Sequence, residues 1–245
     1  MLFRSGAAVL AARAALRAGV GLLTVHIPKV GNTILQVAVP EAMASLDPNE
    51  DHFSQAPSLG AFDVIGIGPG IGQSDGTFSA LQKILESGKP MIIDADALNI
   101  FGANRELLHL VPHGSILTPH PKEFERLVGA WKDDFDRLAK QLILAKQLRS
   151  IVLVKGAHTA IATPEGNVYF NCTGNPGMAT GGSGDVLTGI LTGLLAQRYS
   201  ALNAALLGVF LHGLAGDLAA REKGINSLIA SDLIEFLPVA FKTVA

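Results

Sequence analysis

The stretch of residues 175–193 constrains the fold more than any other part of the sequence. Its first half has almost no bulk, with glycines at 177, 181, 182 and 184. From Val186 onward, apolar residues recur at helical spacing, which indicates a buried helix. A glycine-rich loop that opens into a helix leaves backbone N–H groups unpaired at the helix start, where the helix dipole favours an anion. The sequence therefore predicts an anion site at this junction.

Asp185 is the unexpected residue at the junction, because a carboxylate repels an anion. It makes chemical sense as a general base that takes a proton from a hydroxyl attacking a phosphoryl group. The alternative is structural: Asp185 stabilises the helix dipole and Ser183 is the N-cap residue. The loop is not a Walker A motif, since no Gly-Lys-Ser/Thr follows, and its glycine spacing does not fit a dinucleotide fingerprint.

Composition and charge exclude several classes of protein. The chain has 245 residues and a formal net charge of −2, so it offers no basic surface, and we expect no nucleic-acid partner. Its single cysteine, Cys172, excludes an internal disulfide and indicates a reducing compartment, the cytoplasm. No uninterrupted apolar stretch is expected to reach the length of a membrane span, so no membrane association is predicted.

Predicted strands and helices alternate along the chain. Residues 91–93, 115–117 and 151–155 are apolar strands, and helical patterns lie between them. This alternation predicts an α/β fold in which a largely parallel central sheet carries helices on both faces, within a single domain of residues 1–245. Near the start, residues 34–39 are predicted to form a strand and residues 40–59 to be irregular.

Polar and glycine-rich motifs follow the predicted strands at their C-terminal ends, where ligands bind in open α/β sheets. Gly68-Pro69-Gly70-Ile71-Gly72 either presents bare backbone to a ligand or forms a tight turn. Asp94 and Asp96 either hold Mg²⁺ or a ligand hydroxyl, or one of them caps the next helix.

His120 and Glu123 lie three residues apart across Pro121, at the start of a predicted helix. The glutamate could orient a Mg²⁺-bound water, and the histidine could contact a substrate phosphate or amide. The alternative is a capping pattern between Thr118 and Glu123.

Lys155 ends a predicted buried strand and is followed by Gly156, His158 and Thr159. These residues either line a nucleotide phosphate or ribose, or Lys155 extends its amine to solvent in the ordinary way. His212 lies on an alanine- and leucine-rich helix and is predicted to be a core histidine with its hydrogen bonds satisfied.

Taken together and in this order, the motifs resemble those of the ADP- or ATP-dependent NAD(P)H-hydrate dehydratases, a branch of the ribokinase-like superfamily. The combination of proline-histidine-proline-x-glutamate with glycine-glycine-x-glycine-aspartate is specific to this branch, since sugar kinases of the superfamily typically carry asparagine near the glutamate. The resemblance rests on Gly6-Ala7-Ala8, Gly68-Pro69-Gly70-Ile71-Gly72, Asp94-Ala95-Asp96-Ala97-Leu98-Asn99, Leu117-Thr118-Pro119-His120-Pro121-Lys122-Glu123, Val154-Lys155-Gly156, residues 171–177 and Gly181-Gly182-Ser183-Gly184-Asp185.

The resemblance implies a ribokinase-like three-layer sandwich and the repair of hydrated NADH or NADPH, called NAD(P)HX. The enzyme is expected to phosphorylate the ring hydroxyl from ADP or ATP with Mg²⁺, after which phosphate leaves and NAD(P)H is regenerated. A homotetramer is implied as well. Two alternatives are a kinase of a vitamin-precursor alcohol within the same superfamily, and an inactive nucleotide-binding remnant.

The resemblance also assigns roles to residues. Asp185 would be the base, and backbone N–H groups around Gly182 and Gly184 would stabilise charge on the transferring phosphoryl group. Glu123 would act on Mg²⁺ through water. The adenine nucleotide would contact Lys155, Gly156, Ala157, His158, Thr159 and Gly184. The hydrate would contact Ala7, Gly70, Gly72, His120 and Asp185.

The chain departs from the family pattern at its start. Family members usually begin with a strand and a glycine-rich loop ahead of the Gly-Ala-Ala helix, whereas here only Met1 to Ser5 precede Gly6. A sheet strand and half of a substrate loop are therefore expected to be absent. Residues 9–16 are then expected to lack the partner on which they would pack.

Overall fold

Helices and strands alternate along the chain in a computed structural model that describes residues 4–244. The helices are α1 (Ser5–Arg17), α2 (Asn32–Ala38), α3 (Asp75–Leu85), α4 (Ala95–Ala103), α5 (Pro121–Val128), α6 (Asp134–Leu148), α7 (Ser183–Ala196), α8 (Ala201–Lys223) and α9 (Ala230–Lys242). The strands are β1 (Thr24–Ile27), β2 (Met43–Leu46), β3 (Ile65–Ile67), β4 (Met91–Ile93), β5 (Ile116–Leu117), β6 (Ile151–Val154), β7 (Ala160–Ala162) and β8 (Val168–Phe170).

The strands form two sheets. A six-stranded sheet has the order β3-β4-β5-β6-β7-β8, and β1 and β2 pair separately in parallel. From β3 to β6 all neighbours are parallel, while β7 pairs antiparallel with β6 and with β8, and β7 and β8 form a hairpin. The parallel strands therefore end at one edge of the sheet, and the loops that follow them meet there.

Helices cover both faces of the six-stranded sheet. Within one strand, Ile92 belongs to the core formed with α1, α7, α8 and α9, whereas its neighbours Met91 and Ile93 belong to the core formed with α3, α4, α5 and α6. This alternation is what a strand buried on both faces requires, because successive side chains point to opposite faces. The predicted three-layer arrangement is confirmed.

The prediction of a strand at residues 34–39 is wrong, because these residues lie in and just after α2. The strand role belongs to Met43–Leu46, inside the segment predicted to be irregular. Parallel pairing of β1 with β2 needs a crossover, and α2 supplies it. Leu35 and Val39 are both buried and lie one helical turn apart. This spacing is typical of a helix, but the other apolar residues of segment 34–39 hide it in the sequence.

The prediction that residues 9–16 lack a packing partner is also wrong. Helix α1 lies against α7, and its Ala14 is fully buried in the core shared with that helix. Val9 and Leu16 pack in a second cluster with Ile27 of β1. The alanines of α1 and the glycines of α7 allow the two helix backbones to come close together.

Helix α8 reaches the length of a membrane span, although Asn203, His212 and Asp217 interrupt its apolar sequence. An 18-residue window of this 23-residue helix has a mean hydropathy of 1.4, so the helix is long and apolar enough to cross a membrane by those measures alone. In the structure it packs against α7 and α9, and Ala205, Leu211 and Ala215 are fully buried in the core. An apolar composition of this kind is also typical of a buried core helix.

We expect Gly189→Ala to destabilise the fold by about 1–3 kcal/mol, because overpacking forces the backbones apart. An added β-carbon at Gly189 would lie 2.1 Å from the Ala11 carbonyl oxygen and 2.8 Å from the Ala14 β-carbon. Urea denaturation measures the change in free energy of unfolding. Gly6→Ala is the control, since its β-carbon would meet no atom within 4 Å. Equal midpoints for the two variants would contradict the close helix contact.

Candidate active site

The site is built where the parallel strands of the main sheet end. The loops after β4, β5 and β6 are joined to the preceding strands and to one another by backbone hydrogen bonds: Asp94 N to Ile67 O at 3.0 Å, Thr118 N to Ile93 O at 3.0 Å, and Lys155 N to Pro119 O at 2.9 Å. The start of α7 closes the same edge. The motifs predicted to follow strands therefore lie together.

Asp94 is the centre of this edge. Its side chain is 2% exposed, and it accepts hydrogen bonds from Lys155 Nζ at 2.7 Å and from Thr188 Oγ1 at 2.8 Å. Lys155 Nζ also lies 4.0 Å from Glu123 Oε2. Lys155 thus points inward rather than extending to solvent. One ion pair and one hydrogen bond connect β4, β6 and α7.

His120 and Glu123 form a capping box at the start of α5. His120 is the N-cap residue: its Nδ1 accepts from Lys122 N at 3.1 Å, and Glu123 Oε2 accepts from His120 N at 2.8 Å. The predicted capping partner of Glu123, Thr118, instead donates its hydroxyl to Ile93 O at 3.4 Å. The cap fixes both side chains beside Lys155.

Burial favours the neutral forms of both residues. It raises the pKa of Glu123, against the opposing charge of Lys155 and the hydrogen bond from the His120 backbone. Burial also lowers the pKa of His120, and the positive charges of Lys155 and Arg126 add to this. At neutral pH, His120 is therefore an uncharged imidazole.

The loop of residues 174–184, here called the anion loop, ends at the first turn of α7. Gly182 is the N-cap residue, with a φ of +93° that favours glycine. The alternative that Ser183 is the N-cap residue is wrong, because Ser183 is the first residue of the helix. Among residues 4–244, no acceptor pairs with the backbone N–H groups of Gly184 and Asp185. These groups are available to an anion, with the helix dipole behind them.

The carboxylate of Asp185 faces the centre of the site. Burial, followed by the negative charge of Asp94, raises the pKa of Asp185 to about 6, and the positive charges of Arg4 and Lys155 oppose the shift. Within the described residues its oxygens accept no hydrogen bond. A desolvated carboxylate with free oxygens and a pKa near neutrality is suited to accept a proton.

Ala7 and the glycine-rich loop after β3 lie side by side. Arg4 N donates to Gly70 O at 3.2 Å, and the Ala7 β-carbon lies 3.3 Å from the position that a β-carbon at Gly70 would occupy. Asp96 Oδ2 accepts from Gly72 N at 3.0 Å and lies 3.3 Å from Arg4 Nη2. Asp96 therefore holds this loop instead of capping α4.

Some of the residues predicted to contact the adenine nucleotide lie at the rim of the site. Gly156, Ala157 and His158 are exposed in the loop after β6, while Thr159 is buried and donates its hydroxyl to Gly156 O at 3.2 Å. Over residues 4–244, no group of three or more histidine, cysteine, aspartate or glutamate side chains could hold a metal ion. Asp94 is engaged with Lys155, so the prediction that Asp94 and Asp96 hold Mg²⁺ gains no support.

Two residues of the site were missed by sequence reasoning. Thr188 lies three residues after Asp185, on the same side of α7, and this spacing was the available signal. Arg4 precedes α1 and reaches the loop after β3, and nothing in the local sequence indicates that contact.

The comparison with known families decides the relationship. A sequence model of the family described as NAD(P)H-hydrate dehydratase matches residues 3–239. This chain belongs to the NAD(P)H-hydrate dehydratase family.

Curated members of the dehydratase family match nearly the whole chain. The bifunctional NAD(P)H-hydrate repair enzyme of Moorella thermoacetica is 41% identical over 97% of this chain and 47% of its own length. The ADP-dependent (S)-NAD(P)H-hydrate dehydratase of Bacillus subtilis is 33% identical over 97% of this chain and 84% of its own length. The chain spans about half the length of most of the curated relatives it matches, the bifunctional enzymes.

Solved structures show the same fold. The ADP/ATP-dependent NAD(P)H-hydrate dehydratase of Bacillus subtilis, co-crystallized with ATP/Mg²⁺ and soaked with CoA, has a TM-score of 0.84 at 30% identity, covering 98% of this chain and 88% of that chain. A ribokinase-like superfamily protein of Enterococcus faecalis has a TM-score of 0.81 at 29% identity, covering 98% and 83%. The ribokinase-like fold expected from the resemblance is confirmed.

We expect Asp185→Asn to stabilise the protein at neutral pH, by about 1–2 kcal/mol after allowance for solvent screening. The pKa of Asp185 is raised from 3.8 to about 6, so the folded state binds its proton more tightly than the unfolded state. The stability that this proton confers is complete below the unfolded pKa and is lost as pH rises through the folded pKa. The gain in the variant should therefore grow between about pH 4 and about pH 7 in urea denaturation.

Asp47→Asn is the control of opposite sign. Asp47 is fully buried, and hydrogen bonds from Ser54, Asn49 and Gln55 outweigh the effect of burial and lower its pKa to about 2. The stability from its carboxylate is present above the unfolded pKa and lost as pH falls through about 2. Asp47→Asn should thus destabilise at neutral pH. A loss of stability in Asp185→Asn at the same pH would contradict the raised pKa.

Proposed function

We propose that this chain is an ADP- or ATP-dependent dehydratase that converts hydrated NADH or NADPH back to NADH or NADPH. The observation that carries the proposal is Asp185, a half-buried carboxylate with free oxygens, beside unpaired backbone N–H groups at the start of α7. A base next to an anion site is the combination that phosphorylation of an alcohol requires. The family match and the names of the relatives support the same activity.

The proposed reaction has two steps. Asp185 takes the proton of the ring hydroxyl as its oxygen attacks the terminal phosphoryl group of ADP or ATP. The bond between that phosphorus and the bridging oxygen breaks, and AMP or ADP leaves. The carbon–oxygen bond of the new ester then breaks with loss of a proton from the neighbouring ring carbon, which releases inorganic phosphate and regenerates the dihydronicotinamide.

The first step requires, above all, that the charge on the transferring phosphoryl group be stabilised. We assign its stabilisation to the backbone N–H groups around Gly182 and Gly184, which are fixed before the nucleotide arrives. Lys155 lies under this turn, since a β-carbon at Gly184 would be 3.4 Å from Lys155 Nζ. Gly156, Ala157, His158 and Thr159 would contact the rest of the adenine nucleotide from the loop after β6.

The hydrate would bind on the other side of Asp185. Ala7 and Gly70 are in contact, and Gly72 is held by Asp96, so this wall is made largely of backbone. A wall without side chains suits a flat ring that must approach closely. His120, uncharged at neutral pH, would complete the wall with a hydrogen bond to the hydrate.

Mg²⁺ is proposed to arrive with the nucleotide. The described residues offer no cluster that would bind the metal alone, which fits an ion held mainly by phosphates and water. Glu123 is the acidic residue we assign to its water shell, because its Oε2 lies 4.0 Å from Lys155 Nζ at this edge. The ion would neutralise charge on the phosphates.

Three wider properties follow from the family as proposals. We propose a single ribokinase-like domain, a homotetramer and a cytoplasmic location. The exposed aromatic side chains of Phe170 and Tyr199 line an open apolar groove with a volume of about 540 Å³ at the outer end of the sheet, a surface that assembly could cover.

The function is tested by incubating the chain with prepared NADHX or NADPHX, Mg²⁺ and either ADP or ATP. The return of reduced-cofactor absorbance should depend on a nucleotide and should release inorganic phosphate. Asp185→Asn should lower kcat by about 10²- to 10⁴-fold, because a general base contributes that much. The variant should still bind the nucleotide, since its carboxamide removes a negative charge from the anion site.

The same assay separates the alternatives. A stable phosphate ester without return of the reduced cofactor would indicate an alcohol kinase. Nucleotide binding with no turnover of either hydrate would indicate a binding remnant. Full activity of Asp185→Asn would contradict the assignment of the base.

The pH dependence of kcat should show an acid limb near pH 6, where the Asp185 carboxylate is half protonated. Lys155→Met should move this limb to higher pH, because Lys155 lowers the pKa of Asp185. The measured quantity is the position of the limb, since loss of a phosphate contact also lowers the rate itself. Lys132→Met, at an exposed lysine away from the site, should leave the limb in place.

A further inference from the structure

The anion loop and the residues that lead into it lie along one face of α8. Thr173 donates its hydroxyl to Phe210 O at 2.9 Å, just before the loop begins. At the far end of the loop, Ser183 lies beside His212 of the same helix. The loop is therefore supported along its length by a helix that carries no residue predicted to take part in catalysis.

Asp217 makes the strongest of these contacts. Its Oδ2 accepts from Gly174 N at 2.9 Å, and its Oδ1 accepts from Asn175 Nδ2 at 2.9 Å. One carboxylate thus holds two consecutive residues at the start of the anion loop. Aspartate has a low helix propensity, so it does not stabilise α8 itself. Its contribution at this position is the pair of charge-assisted hydrogen bonds to the loop.

The effect of Asp217 passes along the loop through Asn175. With its amide nitrogen held by Asp217, Asn175 presents Oδ1 to Gly177 N at 3.0 Å and caps the short helix Pro176–Met178. A rotated Asn175 side chain would lose both bonds. The direction of the chain through the first half of the loop is therefore set from α8.

Two glycines of α8 leave room for the side chain of Met178 in the middle of the loop and for Thr173 just before it. A β-carbon at Gly216 would lie 2.3 Å from Met178 Sδ, and one at Gly213 would lie 2.2 Å from Thr173 Oγ1. The helix presents glycine where the loop rests on it. This leaves the loop little room to shift toward α8.

His212 holds the other end. Its Nε2 lies 2.9 Å from Ser183 O and 3.3 Å from Ser183 Oγ, so its N–H donates at the first turn of α7. Burial lowers the pKa of His212 to about 4, and the imidazole is uncharged at neutral pH. It therefore restrains the turn without placing a charge behind the anion site.

We propose that Asp217 is a positioning residue for phosphoryl transfer, which holds the anion loop in the conformation that receives the phosphates, with His212 fixing its far end. This rests on the proposed function, because it assigns the loop to the nucleotide phosphates. Backbone N–H groups stabilise developing charge best when they are fixed beforehand. A loop released from Asp217 must be ordered during the reaction, at a cost in rate.

The test compares Asp217→Ala with the control Glu222→Gln. Both remove one negative charge from α8, but Glu222 is exposed and makes no side-chain hydrogen bond or ion pair within residues 4–244. We expect Asp217→Ala to lower kcat for dehydration by about tenfold to a hundredfold, the range for a lost charge-assisted hydrogen bond, with a smaller rise in the KM of the nucleotide. Amide exchange in residues 174–183 should quicken by about tenfold while exchange in β4 stays unchanged.

Asp217→Asn keeps the experiment informative if the alanine variant fails to fold. Its carboxamide keeps one acceptor, so it should show faster exchange of the anion loop and an intermediate kcat. A kcat within about twofold of the Glu222→Gln value, or unchanged exchange of residues 174–183, would overturn the proposal.

Failure of the proposed function is recognised separately. If the unaltered chain binds ADP or ATP but restores no reduced cofactor, the dehydratase activity is refuted, and the role of Asp217 is judged by nucleotide affinity. In that case Asp217→Ala should still weaken ADP or ATP binding by about tenfold in calorimetry, with faster loop exchange. An unaltered chain that binds neither nucleotide would overturn both proposals.

Discussion

The ion pair of the buried Asp94 with the half-buried Lys155 is the interaction on which the candidate site depends. Its 2.7 Å contact joins the ends of β4 and β6, and the bond from Thr188 to Asp94 brings in α7. Removing one partner of such a pair leaves an uncompensated charge, which is far more costly than the pair itself is stabilising. The pair also sets the potential at Asp185, since Asp94 raises the pKa of that carboxylate and Lys155 lowers it.

Much of the fold and part of the site could be predicted from the sequence, because those parts depend on local patterns. The buried strands and the helix Asp134–Leu148 follow from hydrophobic periodicity and caps, and Asp185 follows from its place after a glycine-rich loop. The prediction of a strand at residues 34–39 fails because a short apolar run does not distinguish a strand from a helix.

The contacts that sequence reasoning missed are all between distant segments. Thr188 binds Asp94 across 94 positions, and Asp217 binds Gly174 across 43. The spacing of Thr188 from Asp185 places Thr188 on the side of α7 that faces the site, but no local pattern identifies Asp94 or Gly174 as the partner. His212 shows the intermediate case: its burial followed from its neighbours, but its contact with Ser183 at the anion loop did not.

The close contact of α1 with α7 has a consequence for how the site can change. Near Gly189 the two helices touch through main-chain atoms. A smaller side chain there cannot bring the helices closer together, and a larger one would push them apart. Ala7 lies on α1 and Asp185 lies on α7. The spacing between the two walls of the cleft is therefore a property of the backbone, and a change in the size of ligand it accepts must come from the loops that surround it.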